Sequence, residues 1–92
     1  MRRVAITGLG AISALGRNVT EFWHSLEQGC SGIAPMETVD RAKLRFQNGA
    51  EVKDYKPADY FEEKQGDYMD RFAQFAVITA REALHDSGIE LD

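Results

Sequence analysis

Cysteine, proline and an excess of positive charge are all missing or scarce in this chain, and each shortage excludes something. The single cysteine, Cys30, cannot close an internal disulfide. With only His24 and His85 beside it, far apart in the sequence, no zinc-ligand spacing exists. Eleven Lys and Arg against 15 Asp and Glu give a net charge of −4, so no basic face is available for nucleic acid or an anionic membrane. The two prolines, Pro35 and Pro57, leave no proline-rich linker, and no internal repeat or low-complexity tract divides the chain. Long apolar runs are absent too, which excludes a membrane-spanning helix. Arg2-Arg3 followed by a largely apolar stretch to Leu15 imitates an export signal, but Thr7, Gly8, Gly10 and Gly16 interrupt it, and a cytoplasmic location is expected.

What is present reads as one α/β unit over residues 1–92. Val4-Ala5-Ile6 is a continuous apolar triplet ending in Thr7-Gly8-Leu9-Gly10, which predicts a short strand buried on both faces. Asn18 followed by Glu21 forms an Asn version of the capping box, and Val19, Phe22, Trp23 and Leu26 fall on one helical stripe that Gly29 terminates. From Cys30 to about Gly66 turn residues dominate, leaving room for one hairpin that includes a strand near Gly49 to Val52. A second helix is predicted from about Tyr68 to Ser87, about 30 Å long, with Gly88 as its stop. Its main stripe is Met69, Phe72, Ala73, Ala76, Ala80, Ala83 and Leu84, and Phe75, Val77 and Ile78 make its other side apolar as well. A helix apolar nearly all round is buried on more than one face, and the rest of this chain is too small to cover it twice.

The residue patterns that could carry chemistry are incomplete. A dinucleotide fingerprint needs G-x-G-x-x-G; Gly8 and Gly10 fit, but Ser13 stands at the third position, and Asn18 caps the helix too late for its amides to meet a pyrophosphate. The T-G-x-x-x-G-x-G variant fails at Ile12 and Ala14. Cys30 follows a helix C-terminus, where the dipole disfavours a thiolate, and reads as a loop thiol. His24 lies opposite the apolar stripe of its helix, and His85 is a last-turn residue suited to the C-terminal dipole. The carboxylate pairs Glu62-Glu63 and Asp67/Asp70 fit helix-start charges and solvated faces better than acid–base work. No nucleophile, base and orienting group come together.

Taken in order, however, Arg2-Arg3-Val4-Ala5-Ile6-Thr7-Gly8-Leu9-Gly10-Ala11-Ile12-Ser13, Leu15-Gly16, Phe22-Trp23, Gly29 with Ser31-Gly32-Ile33, Met69-Asp70-Arg71-Phe72 and Asp86-Ser87-Gly88 carry a resemblance. The chain resembles, along its whole length, the β-ketoacyl-acyl-carrier-protein synthases, the elongating type II fatty-acid enzymes and their polyketide ketosynthase relatives. It departs from them at Ala14, where the family usually has proline, and at Cys30, where a charged or polar residue is common.

The resemblance implies a thiolase-like fold of layered helices and mixed sheets, with this chain as the start of its first half. It makes Val4 to Ser13 the first core strand and its turn rather than a cofactor loop. It also implies decarboxylative Claisen condensation of an acyl-enzyme thioester with malonyl-acyl-carrier protein, carried by a cysteine and two histidines that lie downstream of Asp92. On that reading the chain holds no catalytic residue, no cofactor site and no metal site, and Cys30, His24 and His85 match none of the family's catalytic positions. The implied partners are acyl-carrier protein and malonyl-acyl-carrier protein, with a homodimer or a ketosynthase/chain-length-factor heterodimer as the assembly. Two other readings are a non-catalytic chain-length-factor-like partner and a nucleotide-binding Rossmann-type fragment.

Overall fold

The computed structural model describes residues 2–91. They form two compact units, one of residues 2–11 with 56–91 and the other Ile12–Tyr55.

In the unit Ile12–Tyr55, Ser13 and Gly16 close a tight turn through paired backbone hydrogen bonds, Ser13 N–H to the Gly16 carbonyl at 2.8 Å and Gly16 N–H to the Ser13 carbonyl at 3.3 Å. Helix α1 follows, Val19–Glu27. Asn18 is its cap as the sequence predicts, with Oδ1 accepting the Glu21 N–H at 2.8 Å. The reciprocal half of the box is displaced by one residue: Glu21 Oε1 accepts from Arg17 N–H at 3.0 Å. Gly29 takes a left-handed φ of 70° just beyond the helix, where a side chain would be strained. The Ser25 hydroxyl ties the helix back to the Leu15 carbonyl at 2.6 Å.

The expected hairpin is present and short. Strands β1, Ala34–Pro35, and β2, Asn48–Gly49, pair antiparallel with Ala34 opposite Gly49 and Pro35 opposite Asn48. Glu51 and Val52 lie outside the ladder, because Glu51 is used differently. Its carboxylate accepts from the Glu37 N–H at 2.6 Å, the Thr38 N–H at 3.1 Å and the Thr38 hydroxyl, and so closes the base of the loop. Arg17 Nη2 then donates to the Asp54 carbonyl at 2.6 Å, at a turn where Asp54 has a φ of 55°.

In the other unit, helix α2 covers Glu63–Asp67 and helix α3 covers Arg71–Ser87. The predicted helix starts three residues later than Tyr68. Tyr68 caps the end of α2 instead, and Asp70, with extended backbone, caps the start of α3. Gln74 explains the break: buried, it donates from Nε2 to the Gly66 and Met69 carbonyls, both at 3.1 Å, and so satisfies two carbonyls that a continuous helix would have used itself. The shortened helix is about 26 Å long. Gly88 ends it with a φ of 71°.

The covered face of α3 is not the one the apolar stripe suggested. Ile78 and Gln74 are buried and Phe75 and Val77 half-buried, with Phe61 as the other buried apolar side chain. Arg81 lies over the Phe61 ring at 5.1 Å and donates to the Tyr60 carbonyl at 3.3 Å. Phe72, by contrast, is 75% exposed, and Ala76, Ala80 and Leu84 are exposed along the same side.

The strand expected at Val4-Ala5-Ile6 does not form. These residues have no regular structure, and Val4 and Ile6 are 95% and 83% exposed. A strand exists only through a neighbour's ladder, and the only strands among the described residues pair with each other.

Candidate functional site

Gly8 and Gly10 fit part of a nucleotide fingerprint that the sequence breaks at Ser13, and the structure gives these two glycines another purpose. Residues 8–11 lie antiparallel along α3. A Cβ on Gly8 would collide with the Ala83 carbonyl and come within 2.7 Å of the Ser87 nitrogen; one on Gly10 would collide with the Thr79 carbonyl and lie 2.8 Å from its carbon. Both glycines are therefore required by backbone-to-backbone contact with the helix. Between and after them, Leu9 N–H donates to Asp86 Oδ2 at 3.0 Å and Ala11 N–H donates to Glu82 Oε1 at 2.9 Å. The two amides that a pyrophosphate would need are spent on carboxylates, whose charge would repel it. The stretch does not fit a nucleotide.

Sequence reasoning passed over Glu82 and used Asp86 only as part of the Asp86-Ser87-Gly88 resemblance, giving neither a contact. One indication was available: an acid in the last turn of a helix opposes the macrodipole, so Asp86 asks for a donor, and Glu82 sits four residues before it on the same side.

The other candidate residues do not converge. Cys30 is exposed beyond α1, its N–H bonded to the Ser25 carbonyl at 3.0 Å. His24 is exposed on α1, and His85 is exposed in the last turn of α3, in the other unit. Glu62 caps α2, where Gln65 Oε1 accepts its N–H at 3.4 Å; Glu63 lies in the first turn of that helix, and Asp70 caps α3. These three hold the helix-start positions expected for them, whereas Asp67 is the exposed last residue of α2 and lies at a helix end. A shallow hollow in the Ile12–Tyr55 unit is lined by Ile12, Ala14, Leu15, Phe22 and Val52, with no charged group. Among the described residues no buried side-chain nitrogen or oxygen lacks a partner, and no three His, Cys, Asp or Glu side chains are grouped to hold a metal ion. No described helix is long and apolar enough to cross a membrane.

Known proteins supply what this geometry lacks. The family model of the β-ketoacyl synthase N-terminal domain matches residues 1–92. The chain belongs to the β-ketoacyl synthase family. It is 43% identical over 91 residues to 3-oxoacyl-[acyl-carrier-protein] synthase 2 of Coxiella burnetii, and 34% identical over 91 residues to the protein of the same name from Synechocystis. Each alignment takes in 99% of this chain and 22% of the relative, so the chain spans under a quarter of the length of the proteins it matches. A solved structure, the ishigamide ketosynthase/chain length factor, superposes with a TM-score of 0.84 at 36% identity, over 97% of this chain and 22% of that one.

Membership in the ketoacyl synthase family carries the thiolase-like fold, of which the described residues form a small α/β part. The residues that carried the resemblance fall where elements begin and end. Met69-Asp70-Arg71-Phe72 spans the break into α3, with Asp70 as its cap. Asp86-Ser87-Gly88 ends the same helix, with Asp86 holding Leu9 and Gly88 supplying the left-handed residue.

Proposed function

We propose that this chain supplies the N-terminal region of a 3-oxoacyl-acyl-carrier-protein synthase, a condensing enzyme of fatty acid or polyketide synthesis. The observation that carries the reading is the family match over residues 1–92 together with 43% identity to a named synthase across 99% of the chain. In the reaction, a cysteine thiolate takes the acyl group from acyl-carrier protein as a thioester, releasing the carrier's thiol. Malonyl-carrier protein loses carbon dioxide, and the carbanion so formed attacks the thioester, giving 3-oxoacyl-carrier protein and the free cysteine. The 92 residues bring no nucleophile, base or oxyanion donor to this chemistry. Their part is structural, as one segment of the synthase's N-terminal domain at the start of the first thiolase-like half.

Two exposed apolar features support that placement. Val4 and Ile6 read as strand and are 95% and 83% exposed, as expected of a strand whose sheet neighbours belong to another part of the synthase. The Phe72, Ala76, Ala80 and Leu84 side of α3 reads as core and is likewise exposed, as expected of a helix layered against further elements. The partners are acyl-carrier protein and malonyl-acyl-carrier protein, the assembly is a dimer of synthase subunits, and the compartment is the cytoplasm.

Incubation of the purified chain with acyl-carrier protein loaded with an acyl group, read by intact mass, tests the assignment. No acyl adduct is expected on the chain alone. Transfer to Cys30 would overturn the reading, since Cys30 would then be a nucleophile in its own right. Supplying the remaining polypeptide of the synthase is expected to restore condensation, and failure of a folded complex to condense would favour a chain-length-factor-like partner instead.

A further inference from the structure

No helix breaker stands between Gly66 and Gly88: the stretch from Asp67 to Ser87 holds neither glycine nor proline. The sequence pattern accordingly reads as a helix from about Tyr68, yet α3 begins at Arg71. Its cap is a weak one. Asp70 has the extended backbone of a cap, φ −69° and ψ 161°, but its side chain accepts no cap hydrogen bond. Three residues earlier stands Asp67, a residue type equally suited to capping, and Tyr68 after it already lies in the right-handed helical region, φ −93° and ψ −3°. Local preference therefore supports two starts for the same helix.

Gln74 distinguishes them. Its Nε2 donates to the Gly66 and Met69 carbonyls, both at 3.1 Å. In a helix begun at Tyr68 the Met69 carbonyl would accept the Ala73 N–H, and the Tyr68 carbonyl the Phe72 N–H. Neither bond is present: Gln74 occupies Met69, and Asp70 between them is extended. Gln74 is buried, and both of its partners lie within the preceding eight residues of the same unit. Cover from the rest of the synthase buries this amide further and raises the cost of leaving the two carbonyls unpaired.

We infer that Gln74 selects where α3 begins: its amide holds the start at Arg71, and without that amide the helix winds back to Tyr68 under an Asp67 cap, at the expense of the end of α2. The helix then gains three residues, about 4.5 Å of length. Asp67 changes from the last residue of one helix to the cap of the next. The junction is a two-state element whose balance one buried side chain sets.

Hydrogen exchange followed by mass spectrometry on the complete synthase, over overlapping peptides within residues 68–78, tests this. Gln74→Met keeps the length of the side chain and removes the donor. In that variant the Phe72 and Ala73 amides are expected to exchange about tenfold more slowly than in the unsubstituted protein, because each gains a helix partner. Adding Arg71→Pro is expected to abolish the gain. Proline at the first helical position keeps the residue before it extended, as Asp70 already is, and so forbids the helix from passing through it. Exchange in the double variant is expected to equal that of Arg71→Pro alone. Unchanged exchange at Phe72 and Ala73 in Gln74→Met would overturn the inference, because Gln74 would not select the start. Faster exchange would overturn it as well, because the junction would fray rather than wind back. If Gln74→Met does not fold, Arg71→Pro is expected to restore a cooperative melt, and a double variant that stays unfolded would overturn the inference too. Exchange and not condensation is read, so the outcome does not depend on which reaction the synthase performs.

Discussion

Gly10→Ala gives a direct measure of how much the contact between the N-terminal segment and α3 contributes. The added Cβ would collide with the Thr79 carbonyl and lie 2.8 Å from its carbon and 3.1 Å from its Cα. All three are backbone atoms of a helix and cannot swing aside, so the segment itself must lift. Overpacking of this kind costs about 1–3 kcal/mol. Lifting also stretches the 2.9 Å bond from Ala11 to Glu82, a charge-assisted bond worth about 1.5 kcal/mol or more. Against this, alanine in place of glycine stiffens the unfolded chain and recovers about 0.4–1 kcal/mol. Lifting relieves the overlap as it stretches the bond, so the two losses do not add in full and the net destabilisation is about 1–3 kcal/mol. With an m-value of about 1 kcal/mol/M, the urea midpoint followed by circular dichroism falls by about 1–3 M.

Gly66→Ala is the matched control. A Cβ there meets only Pro57 Cβ at 3.7 Å, an ordinary contact, and the position is inside α2, so the variant is expected to gain about 0.5–1 kcal/mol. A Gly10→Ala midpoint at or above that of the unsubstituted chain would refute the close-contact reasoning.

Further expectations follow from individual contacts. Asn18→Ala removes the acceptor of the Glu21 N–H at 2.8 Å and should cost about 1 kcal/mol in the same urea titration; no change would mean that Glu21 alone holds the start of α1. Glu51→Ala leaves the Glu37 and Thr38 amides without their carboxylate, and faster amide exchange at both residues, with α1 exchange unaltered, is the expected result. Cys30, exposed on a loop, should react with a thiol reagent in the folded chain as fast as in urea. Millimolar NAD(P) should leave the melting temperature unchanged, because the amides of Leu9 and Ala11 are occupied by carboxylates; a rise of several degrees would restore the nucleotide reading.

Some of this molecule was decided within a few residues of chain and was legible from sequence. The Asn18 cap, the left-handed stops at Gly29 and Gly88, the hairpin after Cys30 and the body of the second helix all depend on interactions spanning three or four positions or on the conformational freedom of one residue. The family, too, was legible, because the order and spacing of short motifs survive without any knowledge of contacts. What sequence could not decide were the questions that need a neighbour distant in the chain. Val4-Ala5-Ile6 has the composition of a strand and remains unpaired, since a strand is completed by another strand's backbone. Helix α3 is apolar on nearly every side, so its pattern could not say that Gln74 and Ile78 would be covered while Phe72 and Leu84 would not. Gly8 and Gly10 fit only part of a phosphate-loop pattern that Ser13 already breaks, and glycine answers any demand for close backbone approach, so only tertiary packing showed that the approaching group is the helix carrying Glu82 and Asp86.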